Sequence, residues 1–149
     1  MMMLRFWHFL GVALWLGGAV AAMVVSRAAR TDINGRFFFA LLARIHGLVV
    51  APGALLTVVT GLLLTMSLVN RGATDLMASP GMIVMQGAGL VAAMLALFVG
   101  LPTANQLAGL ALAEGVSPKT ERLKKRQVIV SLIAAVLAFA SLYFGVVVR

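Results

Sequence analysis

The side chains of this chain that could bind a transition metal or a haem iron are two histidines, His8 and His46, and nine methionines. The chain has no cysteine, which excludes thiolate metal sites, iron–sulfur clusters and disulfides. Thioethers and neutral imidazole rings are suitable ligands for Cu(I), and a His/Met pair also holds haem iron in some proteins. These side chains therefore indicate a copper site or a haem site.

Four long apolar segments, almost free of charged residues, must position these side chains. They are Phe6–Val25, Ile45–Val69, Met82–Leu101 and Val128–Val148. A helix of roughly 20 apolar residues crosses the hydrocarbon core of a bilayer, which is about 30 Å thick. The composition, 62% hydrophobic and 11% charged, is also more apolar than that of a soluble domain. The sequence thus predicts an all-α, multi-pass integral membrane protein that folds as a four-helix bundle.

The expected helices lie at about 6–27, 45–69, 81–106 and 127–148, in a single transmembrane domain of residues 1–149 with antiparallel up-down topology. Ser79 and Pro80 have the residue types that open a helix. We expect the third helix to end at Asn105 and Gln106, because both follow Pro102. The apolar residues after Arg36 are expected to be partly helical, and residues 117–121 to start a charged helix that continues into the fourth segment.

The charged residues predict the orientation of the bundle. Twelve basic and four acidic residues give a net charge of +8. Most of the basic residues stand in or beside loops one and three: Arg27, Arg30, Arg36, Arg44, Lys119, Arg122, Lys124, Lys125 and Arg126. The positive-inside rule places these two loops in the cytoplasm and both termini outside. No aromatic residues interleave with the basic runs, so the expected partner is the lipid bilayer and not nucleic acid.

This topology separates the two histidines. His8 is expected near the outer surface and His46 near the inner one, about 25 Å apart along the membrane normal at 1.5 Å per residue. Within one subunit they cannot bind the same iron. Met66, Met82 and Met85 fall in the outer half with His8.

The candidate outer site is therefore His8 with Met66, Met82 or Met85 as ligands of haem iron, or His8 with Met82 and Met85 as ligands of a metal ion. His46, beside Arg44, is expected at the inner interface, with Met23 as its nearest soft ligand and a second, weaker case for cofactor binding. The alternative for the methionines is that they fill gaps in an apolar core. The alternative for His8 is that water and Arg5 satisfy it at the interface.

Small residues predict which helix faces meet. Residues near the face of His8 in the first helix are Gly11, Trp15, Gly18 and Ala22; those near the face of His46 in the second are Val50, Gly53, Thr57, Thr60 and Gly61; the fourth helix has Ser131, Ala135, Ala138, Ser141 and Gly145. Small side chains allow helices to approach closely, so these faces are expected in the bundle interior.

Acid–base and hydrolytic chemistry find little support. No Asp or Glu stands in any apolar segment, so a carboxylate pair, a Ser-His-Asp set and an acidic proton relay are all missing. We predict no catalytic residue, and whether the protein is an enzyme is left open. Gln86 is expected to form a hydrogen bond across the bundle.

Several motifs resemble a group of four-helix bacterial membrane proteins: His8, residues 15–18 (Trp-Leu-Gly-Gly), Arg27, residues 51–57 and residues 60–61. The group includes copper-resistance protein D domains, HemJ protoporphyrinogen oxidases and a large uncharacterised set, which the chain resembles most. The resemblance implies a bacterial cytoplasmic membrane. It also implies b-type haem binding at His8, onto which the first-helix histidine of HemJ maps, or copper uptake. The Lys-containing motif and the Asn-Glu-x-Pro signature of HemJ are not found, so the resemblance does not extend to protoporphyrinogen oxidation.

Three hypotheses follow. The first is a haem-b-binding membrane protein with a redox or electron-transfer role and His8 as axial ligand. The second is an accessory or structural subunit of a larger membrane complex or of a homo-oligomer, which the small-residue helix faces favour. The third is a Cu(I)-binding or copper-transport membrane protein that uses the same outer residues.

Overall fold

Four long helices make up the computed structural model, which describes residues 2–28, 35–113 and 117–147. Helix α1 is Met2–Ala28, and α2 is residues 35–69. Helix α3 is Pro80–Ala113 and α4 is Pro118–Val147. A four-residue helix, Thr74–Met77, lies between α2 and α3, and no strand occurs in the described part. The predicted all-α class is confirmed; Arg30 lies outside the described residues, as does the side chain of Arg36.

Each long helix is long and apolar enough to cross a membrane, which supports a membrane protein. Large apolar side chains also point away from the bundle, with Leu48 75% exposed and Phe98 73% exposed. The interior is instead rich in small residues, since Ala54, Ala92 and Ala93 are almost completely buried. This arrangement is what a lipid environment favours. The side of the membrane on which the termini lie stays a prediction.

The helices pack as two antiparallel pairs, α1 with α2 and α3 with α4. Gly18 in α1 faces Val50 in α2, whereas Gly11 faces Thr57, so the chain directions are opposite. In the second pair Gly89 faces Ser141 and Gly145 faces Met85. The predicted interior face of α1 is confirmed: its buried residues are Gly11, Trp15, Gly18 and Ala22.

Three helices extend further at one end than the apolar segments predicted. Helix α2 begins at residue 35, α3 continues to residue 113, and α4 begins at residue 118. The extensions are stabilised by each other, since Phe39 and Leu42 of α2 pack on Leu107 and Ala111 of α3. Polar residues separate two of the extensions from the long apolar segments, Arg44 in α2 and Asn105 and Gln106 in α3, and the extension of α4 is itself charged. A search for long uncharged segments therefore does not include them. The predicted helical structure after Arg36 and the predicted helix start at Pro118 are confirmed.

Two proline residues lie inside helices, and each follows a widened, π-helical turn. The turn His46–Val50 precedes Pro52, and the turn Leu95–Gly100 precedes Pro102. In these turns the N–H of Ala51 donates to the carbonyl of His46, and the N–H of Leu101 donates to that of Ala96.

A proline provides no N–H and its ring collides with the carbonyl four residues earlier. A π-helical turn accommodates both effects without ending the helix. The prediction that Asn105 and Gln106 end the third helix is therefore wrong: both are exposed residues within it.

The close backbone contact between α1 and α2 predicts that the effect of replacing a glycine depends strongly on its position. A Cβ atom at Gly53 would lie 2.6 Å from the backbone nitrogen of Trp15, whereas one at Gly17 would meet no atom within 4 Å. We expect Gly53→Ala to lower the free energy of unfolding by about 2 kcal/mol, because α1 must move away from α2. Gly17→Ala is the control and is expected to be neutral or to stabilise by up to ~1 kcal/mol. Equal thermal unfolding of the two variants in mild detergent would contradict the close contact.

Candidate functional site

His8 is held between α1 and α2 by two hydrogen bonds to one of its ring nitrogens. Its Nδ1 lies 3.1 Å from the Thr57 carbonyl oxygen and 3.0 Å from Thr60 Oγ1. The hydroxyl of Thr60 donates to the Leu56 carbonyl at 2.5 Å, which leaves its oxygen to accept from His8. Since a carbonyl oxygen can only accept, the proton is on Nδ1, and in the neutral ring Nε2 carries a lone pair.

The second nitrogen of His8 is accessible. Within the described residues, the only buried side-chain polar atom without a partner is Gln127 Oε1. No partner of His8 Nε2 is found in that part of the chain either, so this atom is not fully buried. Gly61 allows the ring to pack on α2, because a Cβ there would lie 3.2 Å from His8 Cε1. The result is a fixed imidazole with one available lone pair.

The three predicted methionine ligands lie in other surroundings. Met66 is 61% exposed on α2. Met82 is buried at the start of α3, where its N–H donates to Ser79 Oγ in the predicted helix cap. Met85 packs on α4: a Cβ at Gly145 would lie 2.9 Å from its sulfur, and its carbonyl accepts a hydrogen bond from Ser141.

The height of these methionines along the bundle can be read from Gln86. Its Nε2 donates to Thr65 Oγ1 at 3.2 Å, which confirms the predicted hydrogen bond across the bundle. Thr65 is five to eight residues beyond the two His8 partners, or about 8 to 12 Å along α2. Met82 and Met85 precede Gln86 in the antiparallel α3 and so lie further still from the level of His8. A shared His/Met site stays a prediction.

His46 is buried in the bundle, with 4% of its surface exposed, so its side chain faces the neighbouring helices. Its expected level at the inner interface stays a prediction. Its Nδ1–H donates to the Leu42 carbonyl at 3.0 Å, and Gln127 Nε2 donates to its Nε2 at 2.9 Å. Both ring nitrogens are therefore used. His46 stands 14 residues from Thr60, or about 21 Å along α2, which agrees with the expected separation from His8.

Gln127 is the residue of this second cluster that the sequence did not single out. It is 2% exposed, and its Nε2 also lies 3.5 Å from Ser131 Oγ. A cavity of about 20 Å³ adjoins the cluster, lined by residues that include Trp15, His46, Ala96, Gly100 and Ser131. This volume suits one water molecule. The feature of the sequence that could have identified Gln127 is its position: an amide side chain between a basic run and an apolar segment, next to the small face of α4.

No group of three or more His, Cys, Asp or Glu residues that could hold a metal ion occurs in the described part of the chain. Comparisons with protein-family models, with curated proteins and with solved structures found no match to this chain. Fold and site therefore define a class: an all-α protein of four potential membrane-spanning helices with one anchored, accessible histidine and one buried, saturated histidine.

The buried pair can be tested by a double-mutant cycle. We expect His46→Leu and Gln127→Leu to be coupled by about 1 kcal/mol or more in the free energy of unfolding, because each single change leaves a buried polar group without its partner. His46→Leu with Gln86→Leu is the control pair, since Gln86 is exposed and bonds to Thr65. Additive effects for His46 and Gln127 would contradict the hydrogen bond between them.

Proposed function

We propose that this chain is a haem-b-binding membrane protein with a redox or electron-transfer role, located in the bacterial cytoplasmic membrane, and that His8 Nε2 is an axial ligand of the haem iron. The observation that carries the proposal is the fixed tautomer of His8. Its Nδ1–H donates to the Thr57 carbonyl and to Thr60, while Nε2 is accessible.

A histidine that binds a metal through one nitrogen usually donates its other N–H to a carbonyl, a carboxylate or water. That bond fixes the ring and raises the basicity of the ligating nitrogen. His8 meets this requirement through α2, whereas His46 uses its second nitrogen to accept from Gln127. Of the two candidate histidines, His8 is therefore the one we assign to the haem.

The surface beside His8 suits a flat apolar group. Phe9 is 64% exposed and its ring stands edge-on to His8, with 6.3 Å between the ring centroids. Trp7, one residue before His8 in α1, is also exposed. When bound, haem b would supply one-electron transfer at its iron. The part of this chain is to hold the imidazole neutral and oriented, and to offer apolar side chains for packing.

Copper binding is the second candidate, because the same lone pair is suitable for Cu(I). The positions of the methionines are why we rank haem before copper. A Cu(I) site needs further soft ligands close to His8, but Met66 points outward and Met85 packs on α4. Haem needs only one ligand from this histidine and apolar contacts. The roles of accessory subunit and of homo-oligomer stay predictions.

The test is an absorbance spectrum, oxidised and then reduced with dithionite, of detergent-purified protein expressed with ample haem precursor. We expect a Soret band with reduced α and β bands in the wild type and in His46→Ala, and their loss in His8→Ala. A wild type without a Soret band would overturn the proposal. Stoichiometric copper in that sample, lost in His8→Ala, would support the second candidate instead.

The anchor of His8 gives a separate prediction. Thr60→Val keeps the side-chain shape but removes the hydroxyl that accepts from His8 Nδ1. We expect haem affinity to fall about tenfold and the reduction potential to shift, because partners of ligating histidines typically contribute that much. Thr65→Val is the matched control, since Thr65 bonds to Gln86 and to the Gly61 carbonyl. Equal haem affinity in the two variants would assign Thr60 a packing role only.

A further inference from the structure

Exposed basic side chains from three helices gather at one end of the bundle. We name the basic band as Arg27 of α1, Arg44 of α2 and Arg122, Lys125 and Arg126 of α4, all of which are exposed. The end of the bundle that carries residues 70–79 has only Arg5, Arg71 and Asp75 as exposed charged residues in the described part of the chain. The two ends therefore differ strongly in charge.

The contacts between helices place the band at a narrow range of heights. His46 and Gln127 mark a common level of α2 and α4, since they are hydrogen-bonded. At 1.5 Å per residue, Arg44, Lys125 and Arg126 lie within about 3 Å of that level. Arg122 lies about 8 Å beyond it, and Arg27 does too, because Gly18 of α1 packs on Val50. Five basic groups thus occupy a layer roughly 8 Å deep.

The exposed charged residues at this end of the bundle begin at this same level. Leu48 and Ile129 lie about 3 Å on the other side of the His46–Gln127 pair and are 75% and 57% exposed. Lysine and arginine side chains at such a boundary extend their charged ends toward the water. In a bundle that spans a bilayer, the basic band would therefore lie at the height where the hydrocarbon meets the headgroups.

Within the described residues, no member of the basic band forms an ion pair. The one ion pair found there joins Lys124, which is not in the band, to Glu121 at 3.4 Å. Lys124 also lies over the Phe39 ring, 5.9 Å from its centroid, and so belongs to the packed extension. The guanidinium groups of the band have the planar donor geometry that phosphate oxygens accept in pairs.

We propose that the basic band binds the phosphate headgroups of anionic phospholipids in the leaflet at this end of the bundle. The proposal rests on the membrane location given above but not on haem binding. Each cation at an anionic membrane surface typically strengthens binding several-fold, and the attraction is screened by salt. Anionic lipids are thus expected to be enriched around this end over zwitterionic lipids.

The experiment compares bound lipids by native mass spectrometry of the full chain, released from nanodiscs made with equal amounts of phosphatidylglycerol and phosphatidylcholine. We expect phosphatidylglycerol to be retained preferentially by the wild type, and less so as the salt concentration rises. Lys125→Gln/Arg126→Gln is expected to reduce this preference about tenfold. Arg5→Gln/Arg71→Gln, at the other end, is the matched control and should keep it.

The outcomes separate the proposals. Equal retention of the two lipids by the wild type, or an unchanged preference in the band variant, would overturn the basic band as a lipid site. Binding of inorganic phosphate or of a short oligonucleotide in place of phosphatidylglycerol would also overturn it. Recovery in nanodiscs reports membrane insertion by itself, and the haem spectrum is read independently. Circular dichroism of both variants confirms that they are folded.

Discussion

The close contact between α1 and α2 is the constraint on which the candidate site depends. Gly11 and Gly53 let the two backbones approach so nearly that a Cβ at either position would overlap the other helix. At this distance the His8 ring can donate a hydrogen bond to a main-chain carbonyl oxygen of α2, that of Thr57, and to the hydroxyl oxygen of Thr60. A wider separation would keep both helices but lose the hydrogen bonds that fix the ring. The functional interpretation of His8 therefore follows from backbone packing.

The surroundings of the second histidine depend on two π-helical turns. Each of the prolines Pro52 and Pro102 is preceded by a π-helical turn, and the two turns face each other, since Gly100 lies beside the His46 ring. Without such a turn, Pro102 would end or kink α3 before the segment on which the extension of α2 packs. The prolines thus remain inside long helices. The buried pair of His46 and Gln127 is enclosed by all four helices of the bundle.

Much of the fold follows from one-dimensional patterns. The apolar segments predict the four helices, and the small residues at helical spacing predict the buried face of α1, from Gly11 to Ala22. The helix ends at Ser79 and Pro118 follow from their residue types. The continuation past Pro102 does not, because it depends on a turn that tertiary packing stabilises. The partners of the histidines were not predictable either: Thr60 shares a face with Gly53, but its distance to His8 depends on how closely α1 approaches.

The contrast between the histidines shows why residue type alone could not rank them. Both stand in apolar segments and both donate Nδ1–H to a main-chain carbonyl. They differ in the other nitrogen, which in His46 accepts from an amide on α4, 81 residues away in the chain. Such a long-range contact cannot be recognised from the residues next to His46 in the sequence. Since a nitrogen that already accepts a buried hydrogen bond would have to lose it before binding a metal, ligation at His46 carries a cost that ligation at His8 does not.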